Sequence, residues 1–171
     1  GVLMQTERLV RLAHADDLPI LLVISKLDRL ILEVNIPPAD AFVKLQHVVA
    51  SMDAVVGVPG YFSPSKGNVL FASSKYGWLF SLATFTRYRL GQANENDAFL
   101  RCLWSRQCTF QNGRIIKSAD NADPSSAFVQ LVLEPLYKLH AHVLSSDIVA
   151  LRKVASALQI RLKGAELALD C

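Results

Sequence analysis

Cysteine is scarce in this chain of 171 residues: Cys102, Cys108 and Cys171 are the whole complement. Odd in number, they match no disulfide or metal spacing, which suits a reducing compartment. No apolar run approaches the roughly 18 residues that a membrane helix needs, so no membrane span is expected. Charge of one sign is also missing. Eighteen Lys and Arg face fifteen Asp and Glu, and the net +3 is spread without a basic run, too little for this segment alone to grip nucleic acid. Ser, Cys and His nowhere stand in a nucleophile motif. There is no Gly-x-x-x-x-Gly-Lys-Ser/Thr loop, so the segment by itself cannot hold the phosphates and magnesium that nucleotide hydrolysis requires. His140 and His142, two apart on a helix, point to different faces and make a poor metal pair. His14 and His47 sit on polar helix faces and are expected to be solvated. No internal repeat, low-complexity tract or signal peptide is found. The chain opens on Gly1 rather than Met, and the native protein is expected to begin upstream.

What is abundant is apolar surface. A hydrophobic share of 51% and a mean hydropathy of +0.28 are high for a free soluble monomer and suggest a fragment that meets other domains. Residues 18–24, Leu-Pro-Ile-Leu-Leu-Val-Ile, read as a strand buried on both faces of a parallel sheet. Ser25, Lys26 and Asp28 follow at its carboxyl end, where open α/β sheets bind ligands. Residues 68–72 read as a second buried strand, with Ser73, Ser74 and Lys75 at its end. Two buried strands that each terminate in small polar residues and a Lys are the main chemical signal.

Around them, residues 6–15 predict an amphipathic helix flanking the sheet, and residues 29–34 a loop closed by Pro37-Pro38. The next helix opens on those prolines with Asp40 in its first turn and puts Phe42, Leu45, Val48, Val49, Met52 and Val56 on one stripe. Residues 57–64 are breaker-rich and predict a loop. Helices are expected over 78–90 and 98–104. Trp78, Phe80, Phe85 and Tyr88 have the spacing of core rather than of a stacking platform. Asn112-Gly113 marks a hairpin within 109–116. After a polar loop over 118–125, a helix is expected over 125–143, broken near Pro135. A last helix, capped by Asp147, runs to about Leu158.

The spacing Ser25-Lys26-Leu27-Asp28 is similar to the guanine-specifying Asn-Lys-x-Asp motif of GTP-binding proteins, with Ser25 in place of Asn. One carboxylate can accept both the N1–H and the N2 amino group of guanine, a charge-assisted bidentate pair. Adenine has no such amino group and shows a lone pair at N1. By analogy with base-edge readout, Asp28 would discriminate by roughly 1–3 kcal/mol. The stems of Lys26 and Lys75 could cover the two purine faces, and backbone N–H groups around Ser73 and Ser74 could reach O6.

Longer runs carry a family resemblance. Thr6-Glu7-Arg8-Leu9, Ser25 through Glu33, Pro37-Pro38-Ala39-Asp40-Ala41, Phe71-Ala72-Ser73-Ser74-Lys75-Tyr76 and Leu133-Glu134-Pro135-Leu136-Tyr137-Lys138 resemble the GTPase domain of the spliceosomal U5 snRNP GTPase family, relatives of eukaryotic elongation factor two. Gly77-Trp78 followed by Phe80, and Arg161-Leu162-Lys163-Gly164, look more like the elongation factor. The resemblance implies a three-layer α/β P-loop GTPase domain, of which residues 1–145 are the carboxyl part. An insert with a hairpin would occupy about 94–120, and 146–171 would be a helical linker. It implies binding of GTP or GDP through Ser25, Lys26, Asp28, Ser73, Ser74 and Lys75, with phosphate loop, switches and magnesium ligands upstream. It further implies a nuclear guanine-nucleotide switch in spliceosome activation and disassembly, partnered by the large U5 scaffold protein, the RNA helicase and U5 snRNA. The shorter Ser25 cannot span both contacts of the family's Asn, to the base and to the phosphate loop, so turnover of GTP is left open. The alternatives are a ribosomal translocase of the elongation factor two class and a structural domain without nucleotide.

Overall fold

The second apolar stretch of the sequence, not the first, forms the middle of the sheet. The computed structural model describes residues 3–90, 96–111, 114–117, 126–145 and 148–157. Among them, β2 (Val69–Ser73) lies between β1 (Leu22–Ile24), parallel to it, and β3 (Trp78–Ser81), antiparallel to it. Val23 registers with Leu70 and Phe71 with Phe80. With a partner on each edge, β2 is the strand whose side chains close off: Val69, Phe71, Ala72 and Ser73 are all buried.

The stretch 18–24 departs from the expectation of a long strand covered on both faces. Only Leu22–Ile24 pair, and Leu18, Leu21 and Val23 are 54%, 55% and 44% exposed. Pro19 offers no amide hydrogen to a ladder, so pairing begins where the Leu22 N–H donates to the Asn68 carbonyl at 2.9 Å. Leu22 and Ile24 pack on the core while the outward face stays open.

Parallel strands need a long crossover, and here it is helical. The expected loop over 29–34 is instead α2 (Leu27–Leu32), because Leu27 and Ile31, four apart, both bury. Then α3 (Pro38–Val56) starts with proline in its first turn and Asp40 beside it, buries Phe42, Leu45, Val49 and Met52, and stops at Gly57 in the left-handed region (φ 77°). The breaker-rich loop after it is held by side chains. Asp53 accepts the N–H groups of Gly60 and Phe62 at 3.0 and 2.7 Å. Asn68 accepts the Ser63 N–H at 2.8 Å and donates to the Tyr61 carbonyl at 2.7 Å. His14, at the end of α1 (Met4–Ala15), is half-buried edge-on to Tyr61 rather than solvated.

The helix expected over 78–90 begins later, as α4 (Leu82–Leu90). Trp78 to Ser81 form β3, whose alternation of half-buried Trp78 and Phe80 with exposed Leu79 is a strand period. The turn Ser74-Lys75-Tyr76-Gly77 closes on Gly77 with φ of 64°, a conformation that favours glycine.

Helix α5 (Asp97–Trp104) is capped by the Asn96 side chain, which accepts the Ala98 N–H. It leads into the antiparallel pair β4 (Cys108–Gln111) and β5 (Arg114–Lys117), the expected hairpin. Here a further expectation is corrected: Cys102 and Cys108 form a disulfide, Cα atoms 5.7 Å apart. The sequence gap of six bridges the corner between α5 and β4, and no spacing rule reveals such a turn.

The helical run over 127–144 holds a π-helical turn, Val129–Leu133, before α6 (Glu134–Leu144). The Glu134 N–H reaches back to the Val129 carbonyl, one residue further than in an α-helix. Pro135 has no N–H to continue the ordinary ladder, so the expected break appears as a widened turn. Finally α7 (Ile148–Ala157) packs on α6. The expectations for 112–113, 118–125, Asp147, Cys171 and the tail motif at 161–164 lie outside the described residues. An aromatic cluster joins these pieces. Phe128 stacks on Phe42 at 4.9 Å, meets Trp104 edge-on at 5.0 Å and lies 5.7 Å from Phe71. The architecture is mixed α/β, with small sheets packed by helices.

Candidate guanine pocket at two strand ends

Backbone direction brings two distant segments together. Since β1 and β2 run parallel, their carboxyl ends lie side by side, and the residues that follow each strand open to the same edge. After β1, Lys26 takes a left-handed backbone (φ 62°, ψ 37°) at the head of α2. A side chain in that region costs about 1–2 kcal/mol. Strain of this kind gathers at ligand clamps, and here it helps turn the chain from strand into helix within two residues, placing Asp28 in the first helical turn. After β2 comes the tight turn closed by Gly77.

Lys26, Asp28, Ser74 and Lys75 line one cleft of about 300 Å³ together with Arg29 and Glu33. That volume stands at the small end of ligand sites, which run from about 300 to 1,000 Å³, and suits a base better than a whole nucleotide. The other two candidates stand beside it. Ser25 is exposed and lines a neighbouring, largely apolar groove of about 750 Å³ together with Lys26, Val23, Val43 and Met52. Ser73 is buried, and its hydroxyl accepts the Tyr76 N–H at 3.3 Å, so its part is to shape the turn.

Asp28 is the buried acid of the site. It is 8% exposed, and its Oδ1 has no hydrogen-bond partner among the described residues. An ionised carboxylate with an idle buried oxygen is costly unless something donates to it, so the residue is suited to a ligand that brings donors. Lys75 meets the face of Tyr76, its ammonium 5.3 Å from the ring centre. Arg29 and Glu33 form an exposed pair one helical turn apart, which contributes little stability.

Behind the cleft stands a residue that sequence reasoning weighed only as half of a poor metal pair with His142. His140 on α6 is buried, with its ring 4.8 Å from Tyr76 and 6.5 Å from Trp78, and its Nε2 also lacks a partner among the described residues. Burial lowers its pKa from the usual value, and the nearby Asp28 carboxylate works in the opposite direction. A legible signal existed: 133, 136 and 140 continue the apolar stripe of α6, so a histidine stands at a core position.

Comparison with known proteins adds relatives. No family model matches the chain. It is 35% identical over 178 residues to the pre-mRNA-splicing factor cwf10 of Schizosaccharomyces pombe, covering 99% of this chain and 18% of that protein. It is 38% identical over 155 residues to the 110 kDa U5 small nuclear ribonucleoprotein component CLO of Arabidopsis thaliana, covering 84% of this chain and 16% of that protein. The elongation factor-like GTPase 1 of Mus musculus is more distant, at 26% over 210 residues. The chain thus spans about a sixth of the length of the splicing relatives it matches.

Proposed function

Because this chain is a homologue of the U5 snRNP splicing proteins, we propose that it is the base-recognising part of a guanine-nucleotide switch in pre-mRNA splicing. The observation that carries the reading is the convergence of Lys26, Asp28, Ser74 and Lys75 on one cleft from two strand ends. In this reading the chain is the carboxyl part of a three-layer P-loop GTPase domain with an insert at about 94–120. Its ligand is GTP or GDP, whose phosphates and magnesium fall to residues that this chain does not carry.

Each side chain then has a task. Asp28 turns both carboxylate oxygens to the N1–H and N2 amino group of guanine. Lys75 leaves the Tyr76 ring to lie over one purine face, and Lys26 covers the other. Ser74, without bulk, lets backbone amides approach O6. Ser73 holds the turn from beneath. Ser25, exposed and outside the cleft, contributes less than the Asn it replaces, which favours a conformational switch over fast turnover. The particle around it would be the nuclear U5 snRNP, with the large scaffold protein, the helicase and U5 snRNA as partners in activation and disassembly.

The test is Asp28→Asn in the intact protein, read with a fluorescent GDP analogue. Loss of one bidentate pair should weaken binding by about 1–3 kcal/mol, roughly fivefold to 150-fold. A xanthine nucleotide, with a carbonyl at C2 to accept from the new amide, should recover part of it. Equal binding by wild type and variant would favour the structural domain without nucleotide. Sequencing the RNA that purifies with the endogenous protein separates the two particles: U5 snRNA supports this reading, and ribosomal RNA supports the translocase.

A further inference from the structure

Two buried polar atoms without partners stand on neighbouring helices, one of them in the Asp28 carboxylate. Asp28 Oδ1 and His140 Nε2 both lie out of reach of solvent with no hydrogen bond among the described residues. They belong to α2 and α6, which pack on each other, and the field of the carboxylate acts on the imidazole. One orphan is an acceptor that wants a donor, and the other becomes a donor whenever the ring is protonated.

The surroundings leave His140 few other options. Tyr76 from the turn and Trp78 from β3 meet it with their rings. The π-helical turn that leads into α6, Val-Gln-Leu-Val-Leu, has no titratable group. On α6 itself, Glu134 pairs with Lys138 and the Tyr137 hydroxyl donates to the Ile36 carbonyl. His142, two residues on, points to another side of the helix. Helix α7, which also packs on α6, carries Arg152 and Lys153, both exposed.

We propose that His140 is a positioning residue for Asp28: when protonated it holds the inner carboxylate oxygen and turns the group away from the base, making guanine-nucleotide binding sensitive to acid. The inference rests on the reading of the cleft as a guanine pocket. Bound guanine requires both oxygens of Asp28, so the imidazolium loses its acceptor on binding. The nucleotide-bound state therefore holds the His140 proton less tightly than the empty state. By linkage, affinity is complete where the ring is neutral in both states and declines as acidification charges the ring of the empty protein. Tyr76 gives the same ring a second route to the cleft, since it meets both His140, edge-on at 4.8 Å, and the Lys75 ammonium, 5.3 Å from its ring centre.

The experiment measures the Kd of the intact protein for N-methylanthraniloyl-GDP between about pH 8 and pH 5, the range in which imidazole titrates. The wild-type Kd should rise several-fold toward the acid end. His140→Gln should bind as wild type at the alkaline end and stay flat below it. A wild-type profile that is flat, or a His140→Gln profile parallel to a sloping wild-type one, overturns the proposal. Asp28→Asn keeps the two readings apart. If it binds GDP like wild type, the guanine pocket falls and this inference with it. If it binds weakly while His140→Gln tracks wild type, the pocket stands and His140 has no part in it. Should His140→Gln fail to fold, histidine NMR on the wild type decides: the His140 titration moves to lower pH on adding GDP, and an unmoved titration refutes the coupling.

Discussion

Replacing Phe128 by alanine probes the contact on which this architecture depends most. Its ring is fully buried and touches Phe42 at 4.9 Å, Trp104 at 5.0 Å and Phe71 at 5.7 Å, thereby joining α3, α5, β2 and the π-helical turn. Removing a buried phenyl ring costs about 3–5 kcal/mol, transfer and cavity terms together. Three ring partners, each worth about 0.5–1.5 kcal/mol beyond area, place this site in the upper half of that range. A loss of about 4 kcal/mol is close to three powers of ten in an opening equilibrium. The assay is native-state hydrogen exchange of the intact protein, followed at the amides of β2, whose protection reports opening of this unit. Phe128→Ala should speed their exchange about a thousandfold if they exchange through that opening. Leu79→Ala, at a position 58% exposed, should change it by less than about threefold, within the 0.5 kcal/mol usual for surface sites. Protection of β2 unaltered by Phe128→Ala would refute the idea that the aromatic cluster holds the sheet to its helices.

Two further outcomes follow from the same structure. Cys102→Ser should lower thermal stability by roughly 2 kcal/mol in oxidised protein, given the short loop the disulfide closes, and leave it unchanged in the presence of dithiothreitol; a difference under reducing conditions would assign the effect to packing instead. Tyr137→Phe removes the 2.8 Å bond to the Ile36 carbonyl and should cost about 1 kcal/mol, measured by denaturant unfolding. Burial raises the Tyr137 pKa, so the unfolded chain ionises first. This contribution is complete below about pH 10, the ordinary tyrosine value, and is lost as pH rises through the folded-state value. The variant should lose the alkaline part of the stability profile.

The sequence by itself was sufficient for whatever depends on local pattern. Pro37-Pro38 and the stripe of Phe42, Leu45, Val49 and Met52 specify α3 because burial repeats with the helical period. Asn68 to Ala72 specify β2 because a short β-branched and aromatic run wants cover on both sides. Lys26, Asp28, Ser74 and Lys75 could be named because strand ends are where parallel sheets gather ligands, and their convergence on one cleft agrees with that rule. The limits were reached where distant segments decide. Residues 78–81 became strand only because a turn closed by Gly77 returns the chain along β2. The outward face of β1 is open because nothing among the described residues covers Leu21 and Val23, which a run of apolar letters cannot reveal. Cys102 and Cys108 meet because α5 and β4 turn a corner. His140 stands behind Asp28 because α6 packs on α2, and only that packing turns a helix histidine into a neighbour of the carboxylate. Local free energies are written along the chain, whereas burial and electrostatic pairing belong to whichever segments tertiary packing brings within a few ångströms.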